Sequence, residues 1–408
     1  MAGATIDHLV SVTVFLAAIV LFISLFNQTI QTAIIYQRHR NLATRTSDLL
    51  DNMLLTPGYP IDWGRMNGTP TSFGLQDPEF TQYRLSPFSL MRLNYSLGNP
   101  VYYDKTGQWY SNITMGFGQS LFVPYNEVVN YSYATKLLGI NNTYGFILTV
   151  TPIITVAIEE VSANPLNLSV EAFGSGFPLV GANISYCFVT VQATGGAGAY
   201  PAYTIDYGDA LTNGEGVAYL SFPSFDATQD SYCLLAYAHL NGLVGVGYHE
   251  SVQYQGSYVV PFISDFETGT VLIAHSWDVH EGDDPAEISY NATFVLLSED
   301  FTLREMPLEN STGKLGKINY GYGQPYQNIT ISTDNPGLLI ITYRKSAQES
   351  GVVVMPWGIS SVAFPISFGG DASQKEWVAT DTRQVVVNGI AYQAKLGLWD
   401  LQGYQVIG

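Results

Sequence analysis

The densest group of side chains that could do chemistry runs from His275 to Asp284 and reads HSWDVHEGDD. Its candidate metal donors are the imidazoles of His275 and His280, or else the carboxylates of Asp278, Glu281 and Asp283. The spacing matches neither the H-E-x-x-H zinc motif nor an EF-hand calcium loop. The run therefore predicts a solvated acidic loop between strands, and no metal or cofactor is expected.

Other catalytic patterns are missing from the sequence. Asp206 and Asp209, in DYGDA, predict a turn, with a weak cation site as the alternative. The chain contains no G-x-S-x-G elbow, P-loop, dinucleotide fingerprint or C-x-x-C pair. We therefore expect no enzymatic activity, with a secreted hydrolase of unrecognised site as a weaker alternative.

The two cysteines, Cys187 and Cys233, both fall in strand-like runs. A lone pair predicts one disulfide in an oxidising compartment, and two buried free thiols are the alternative. A bridge would close a loop of roughly 45 residues, which the chain-entropy model values at about 3–4 kcal/mol.

The composition limits the possible partners. Charged residues make up 12% of the 408 residues and hydrophobic ones 47%, and the net charge is −18. The acidic balance argues against nucleic acid as a partner, because binding a phosphate backbone requires clustered lysine and arginine.

The N-terminus predicts one long helix. Eighteen uncharged residues from Leu9 to Phe26 nearly span a bilayer core, and the uncharged stretch continues to Gln37. Helical spacing then places Leu42, Leu49, Met53 and Leu54 near one face, and Pro57 ends the helix. A cleaved secretory signal is the competing interpretation, but the apolar run is long and no basic residue precedes it.

The opening residues Ala2 to Leu9, AGATIDHL, resemble the start of archaeal type IV pilin-like proteins with class III signal peptides. The segments from Leu49 to Gly64 and from Phe73 to Leu75 extend this resemblance over roughly the first 150 residues. The resemblance implies cleavage after Ala2 and pairing of Asp7 with a neighbouring subunit's N-terminal amine. It departs from the family pattern, because no basic residue precedes the cleavage point. It also implies assembly through the apolar helix, for which we select Leu9, Val12, Phe15, Leu16, Ile19 and Phe22.

Two signals disagree about the side of the membrane on which the body lies. Arg38, Arg40 and Arg45 follow the span, and a count of basic residues would place the body in the cytoplasm. An excess of N-x-S/T sequons indicates the outside and predicts N-linked glycans. These sequons begin at Asn67, Asn94, Asn112, Asn130, Asn141, Asn167, Asn183, Asn291, Asn310 and Asn328. We expect the body to be extracytoplasmic.

The rest of the chain predicts a mainly β protein in three units. Residues 56–157 form an α+β head, with one helix capped by Ser86 and opened by Pro87, and a second capped by Asn126 and stopped by Gly139. In residues 158–255, GFPLVGANI followed by TNGEGVA resembles immunoglobulin-like domains of the invasin and carboxypeptidase-regulatory type. Residues 256–408 form a further β domain, in which Asn388-Gly389 predicts a hairpin. The predicted class is therefore a long N-terminal helix and a small α+β region followed by tandem Ig-like sandwiches.

Aromatic residues offer a second candidate surface. They are Tyr102, Tyr103, Trp109 and Tyr110, and later Tyr320, Tyr322 and Tyr326 among glycines. Such rings could stack on sugars or line a subunit contact, or they could simply be core and rim aromatics. Two functions remain open from the sequence. One is a pilin-like structural subunit that assembles through its helix at the cell surface; the other is a monomeric anchored adhesin or a module that binds glycans or solutes.

Overall fold

The computed structural model describes residues 2–80, 82–93, 99–114, 120–192, 200–251, 259–279, 286–308, 313–319, 324–345, 349–359, 365–375 and 377–401. The predicted fold class is confirmed: one long N-terminal helix is followed by a mainly β body of packed antiparallel sheets. Three α-helices occur in the described part, α1 (Ala2–Leu55), α2 (Pro87–Met91) and α3 (Tyr131–Leu137), with short 3-10 turns at Tyr125–Glu127 and Ser276–Asp278.

The strands, in chain order, are β1 (Val101–Tyr103), β2 (Gln108–Thr114), β3 (Ser120–Pro124), β4 (Tyr144–Pro152), β5 (Ile154–Ala163), β6 (Leu166–Gly174), β7 (Phe177–Pro178), β8 (Asn183–Gln192), β9 (Ala202–Leu211), β10 (Val217–Phe222), β11 (Tyr232–Leu240), β12 (Leu243–Ser251), β13 (Val259–Asp265), β14 (Thr270–His275), β15 (Ile288–Leu297), β16 (Leu303–Met306), β17 (Leu315–Ile318), β18 (Tyr326–Thr330), β19 (Gly337–Arg344), β20 (Ser350–Trp357), β21 (Ile366–Gly369), β22 (Ala379–Val387) and β23 (Ile390–Asp400).

The helix ends and turns follow local sequence chemistry in most places. α1 ends at Leu55, just before Pro57, and the Ser86 side chain accepts a hydrogen bond from the Ser89 amide to cap α2. The second predicted cap is wrong: Asn126 lies in a 3-10 turn, and Asn130 caps α3 by accepting from the Tyr133 amide. Both asparagines precede the same helical run, so the sequence alone does not separate them.

Residues 154–251 fold as a two-sheet, Ig-like sandwich, which overlaps the unit predicted over residues 158–255. Its outer sheet has the order β10-β6-β5 with β7 beside β6, and its inner sheet has the order β12-β11-β8-β9. Leu168 and Leu220 of the outer sheet share a core with Phe188 and Leu234 of the inner sheet. Gly245 and Gly247 on β12 permit this packing, since a Cβ on Gly247 would lie 2.6 Å from Cγ1 of Val156.

The G-x-P and Thr–Gly segments meet at one end of this sandwich. The Thr212 hydroxyl accepts a hydrogen bond from the Ala182 amide at 2.8 Å and donates to the carbonyl of Leu179. Gly216 adopts a φ of +78°, and its carbonyl accepts from the Ala172 amide. The two segments of the resemblance thus form one hydrogen-bonded corner.

The predicted separation of residues 56–157 from residues 256–408 is wrong. A six-stranded sheet has the order β1-β2-β3-β13-β14-β18, with Phe122 of β3 beside Phe262 of β13 in parallel register. A helix-side sheet has the order β21-β4-β23-β22, so it also combines both segments. The sandwich is therefore inserted into a body built from the chain on either side of it.

The sheets stack in layers. A central sheet, β16-β15-β19-β20 with β17 beside β15, lies between the inner sheet and the six-stranded sheet. On one side, the Thr342 hydroxyl donates to the Pro201 carbonyl at 3.3 Å, and Ser231 donates to the Ser350 carbonyl at 3.0 Å. On the other side, the rings of Phe266 and Trp357 stack at 5.8 Å. The central strands are therefore covered on both faces, which explains their continuous apolar runs.

A buried cation ties the loops of the head region together. Arg92 is fully buried, and its guanidinium donates to the carboxylate of Glu127 at 2.9 Å. It also donates to four carbonyls, those of Trp63, Met66, Gly68 and Glu127. Burial lowers the pKa of Arg92 to about 10, and the Glu127 charge opposes that shift.

Candidate membrane and assembly helix

The C-terminal part of α1, residues 39–55, packs against the body, and we call it the upper part. Leu42, Leu50, Met53 and Leu54 are buried in the main core, and Thr46 is buried among them. Leu49 packs against the same core while half-buried. The face predicted from the helical spacing is therefore confirmed, and the helix is held by its last four turns.

The N-terminal part of α1, residues 6–38, has no contact with the described residues of the body, and we call it the lower part or the bare segment. Every described side chain from Ile6 to Arg38 is exposed, and this segment belongs to a described helix long and apolar enough to cross a membrane. The structure places all six residues selected for assembly on this bare segment: Leu9, Val12, Phe15, Leu16, Ile19 and Phe22. Their exposed fractions range from 38% at Ile19 to 70% at Phe22, and their spacing of three or four residues places them along one side of the helix. Moving such side chains out of water is worth about 1.5–3 kcal/mol each.

Asp7 lies at the start of this apolar segment and is exposed. Within the described part of the chain, no side chain pairs with its carboxylate. A carboxylate entering an apolar environment requires a cationic partner. The pairing of Asp7 with another subunit stays a prediction.

An ion pair that the sequence did not reveal fixes the helix to the helix-side sheet. Nε and Nη2 of Arg383, on β22, donate to the two carboxylate oxygens of Asp51 at 2.9 and 3.1 Å. Nη2 also donates to the Ser47 hydroxyl at 2.9 Å, and the Tyr83 hydroxyl donates to Asp51 at 3.1 Å. The hydrogen bonds to Asp51 raise the pKa of Arg383. The rod and the body are therefore joined by a bidentate contact, and no motif in the sequence signals it.

The structure has Cys187 and Cys233 as buried free thiols, not as the predicted disulfide. They lie on adjacent strands, but Cys187 is opposite Leu235 and Cys233 is opposite Val189, so the two are displaced by two residues. Diagonal positions on antiparallel strands have Cα atoms roughly 7–8 Å apart, beyond the usual reach of a disulfide. Burial raises the pKa of the Cys187 thiol to about 12, and burial also raises the pKa of the Cys233 thiol.

The sequons differ in accessibility. Asn67, Asn130, Asn141 and Asn328 are exposed, whereas Asn112, Asn167, Asn183 and Asn291 are half-buried. Asn94 and Asn310 lie outside the described residues. The Asn183 amide nitrogen is also 2.8 Å from Nε2 of His239. The Asn67 amide nitrogen donates to the Asp265 carboxylate at 3.1 Å, so Asn130, Asn141 and Asn328 are the most open to an attached glycan. Glycosylation itself stays a prediction.

The other candidate sites are arranged differently from the predictions. His275 is buried and ends β14, with its Nε2 2.8 Å from the Ala286 carbonyl, while His280 to Asp284 lie outside the described residues. No group of three or more metal-binding side chains occurs among the residues that the structure describes. The turn predicted at Asp206 and Asp209 is wrong, because both lie within the edge strand β9, where Asp209 accepts from Ser185 at 2.5 Å.

The aromatic residues divide into core and surface. Tyr103 and Tyr110 are buried, and Tyr326 is half-buried against the same cluster. Tyr102 and Trp109 face each other across β1 and β2 with ring centroids 5.2 Å apart, and both are exposed. Tyr320 and Tyr322 lie outside the described residues. An exposed pair of this kind is a surface on which a sugar ring can stack.

Comparisons with known proteins identify no family. No protein-family model matches the chain, and no curated protein matches it. Similar solved structures include two fibronectin type-III domains of chicken tenascin, at 10% identity and a TM-score of 0.17, over 50% of this chain and 97% of that one. Red sea bream transglutaminase is similar at 9% identity and a TM-score of 0.20, over 61% of this chain and 37% of that one. The FN1–FN3 domains of chicken CNTN1 are similar at 8% identity and a TM-score of 0.15, over 61% of this chain and 77% of that one. Identities of 8–10% and TM-scores of 0.15–0.20 give no information about the function of this chain.

Proposed function

We propose that this chain is a membrane-anchored surface protein that assembles with copies of itself through the lower part of α1 and displays its β-sandwiches outside the cell. The observation that carries the proposal is the bare apolar helix, continuous with a segment locked into the body by Asp51 and Arg383. Exposing its six selected side chains to water would cost roughly 9–18 kcal/mol, as much as a typical domain's whole stability. A bilayer or a bundle of like helices removes that cost.

The pilin-like form of the proposal adds three features. After cleavage before Gly3, Asp7 pairs with the N-terminal amine of a neighbouring subunit inside the bundle. Glycans on the exposed sequons cover a surface that has few charged residues. The rigid joint between α1 and the helix-side sheet transmits the helical order of the bundle to the displayed domains.

A second candidate function is that of a monomeric anchored adhesin or a module that binds glycans or solutes. The exposed pair Tyr102 and Trp109 favours it, since paired aromatic faces suit sugar rings. Here the helix serves as an anchor only, and binding is carried by the body.

Paired substitutions separate the two functions. Leu16→Ala with Ile19→Ala keeps the bare segment apolar and uncharged but removes contact area between helices, whereas Leu211→Ala shortens an exposed apolar residue of the sandwich. The assembly proposal expects higher-order species, seen by cross-linking in membranes, to disappear in the helix variant alone. Retention of those species in the helix variant, or their absence from the wild-type chain, would count against assembly through α1.

A further inference from the structure

The loop before β22 contacts α1 where the helix leaves the body. The imidazole of His39 stacks on the Trp377 ring with centroids 3.9 Å apart and planes 14° apart, so the loop before β22 reaches down to this level. Arg38 and Arg40 flank His39 on the helix, and Lys375 lies on the loop; all three are exposed. With Tyr36, which is 71% exposed, and Trp377, these cations form what we call the collar.

Charge is distributed unevenly between the helix and the body. Residues 1–47 contain three basic residues and one acidic residue, a net charge of +2, so residues 48–408 contain the other 13 basic and 33 acidic residues, a net charge of −20. No described residue forms an ion pair with Arg38 or Arg40. Along the chain, two acids, Asp371 and Glu376, lie within four residues of Lys375, and Asp48 lies about three turns above Arg38. Arg38 and Arg40, which have no ion-pair partner among the described residues, therefore lie in the N-terminal segment, whose net charge is positive while the body is acidic.

The length of the helix sets the height of the collar above the membrane. The uncharged stretch from Leu9 to Gln37 has 29 residues, and at about 1.5 Å per residue it is about 43 Å long. A bilayer with its headgroup layers is about 40–45 Å thick. When Leu9 lies at one surface, Arg38 therefore lies at the other, at the level of the lipid phosphates.

We propose that the collar binds the phosphate groups of anionic lipids, so that the body rests on the bilayer surface. This inference rests on the membrane anchorage proposed above and adds the partner of the collar. Guanidinium groups match phosphate oxygens bidentately, and tyrosine and tryptophan favour the headgroup layer. The count of basic residues would place Arg38, Arg40 and the body in the cytoplasm. Binding to lipid phosphates gives these arginines a partner when the body lies on the outer side instead.

The test uses the full chain in nanodiscs made either of phosphatidylcholine alone or of phosphatidylcholine with phosphatidylglycerol. A spin label at Gln374→Cys, an exposed position beside Lys375, reports access to a water-soluble nickel chelate, and a second label at Phe22→Cys reports hydrocarbon depth. We expect nickel access at position 374 to fall several-fold in the anionic discs and to recover in high salt. The variant R38Q/R40Q/K375Q should lose the effect, and the matched variant K105Q/K314Q/K317Q, with three cations removed elsewhere, should keep it.

The outcomes separate the two proposals. A label at position 22 that is not in hydrocarbon contradicts the anchorage itself. A label at position 22 in hydrocarbon, with full nickel access at position 374 in both lipids, overturns the collar proposal alone. Equal protection in both lipids, or protection that vanishes at one chain per disc, overturns it as well, because the contact is then with neutral lipid or with another copy.

Discussion

Arg383 on β22 holds both carboxylate oxygens of Asp51 on α1, at 2.9 and 3.1 Å, across 332 positions of the chain. The contact joins the one long helix to the sheet that combines the two halves of the body. It therefore fixes the direction in which the bare segment of α1 leaves the body, and its removal should loosen that joint.

Substituting Arg383 with glutamine should weaken the hold on the upper part of α1. The pair is partly exposed, so we expect the opening free energy of residues 42–55, from amide hydrogen exchange, to fall by only about 1 kcal/mol. Lys395→Gln, an exposed cation on the neighbouring strand β23, is the matched control and should leave exchange unchanged. Equal exchange in the two variants would show that the ion pair does not hold the helix.

Arg92 should be far less tolerant of substitution than an exposed arginine. Arg92→Met removes the cationic partner of the Glu127 carboxylate, which keeps the Gly68 amide as a donor, and removes the guanidinium donor of four buried carbonyls; such a loss typically costs about 3–5 kcal/mol. Arg84→Gln, which removes a guanidinium stacked on the Phe80 ring at 3.7 Å, should cost less than about 1 kcal/mol. Thermal unfolding of both variants in detergent compares the two costs, and similar losses would contradict the assigned role of Arg92.

Gly247→Val tests the packing of the sandwich. The new side chain meets Val156, whose Cγ1 would lie 2.6 Å from its Cβ, and overpacking of this kind typically costs about 1–3 kcal/mol. Gly214→Ala points into open space at the Thr–Gly corner and should change stability by less than about 0.5 kcal/mol. If both variants unfold at the wild-type temperature, β12 and β5 are not in contact.

The two cysteines should behave as protected thiols. Because burial raises both thiol pKa values, iodoacetamide at pH 8 should modify neither residue in the folded chain and both after denaturation without reductant. Mass spectrometry counts the adducts. A denatured, unreduced chain that takes up no label would instead reveal the disulfide expected from the sequence.

Acid should destabilise the sandwich through His249. Burial lowers the pKa of His249 below its ordinary value of 6.5, against a smaller opposing effect of Glu160. The unfolded chain then binds the proton more tightly, so stability is full above about pH 6.5 and decreases as the pH falls toward the folded-state pKa. The melting temperature followed from pH 7.5 to 5 should fall less in His249→Gln than in the wild type, and parallel curves would exclude His249 as the cause.

Local chemistry was predictable from the sequence, and long-range pairing was not. Asn388 and Gly389 have φ values of 44° and 84° and join β22 to β23 in the predicted hairpin, because a two-residue turn needs only its own residues. The parallel contact of Phe122 with Phe262 spans 140 positions, and the sequence of neither strand indicates which strand it pairs with. The bare segment of α1 was predictable from composition. The Asp51–Arg383 ion pair and the stacking of Trp377 on His39 were not, because they depend on tertiary packing.

We propose that α1 both anchors the chain and assembles its copies. Electron microscopy of cell-surface preparations should settle this when combined with mass spectrometry of the material and of its N-terminus. We expect filaments that contain this chain, beginning at Gly3, and Asp7 is then the first residue to substitute. A chain with an intact N-terminus, found only as an isolated membrane species, would contradict the assembly and leave an anchored binding module.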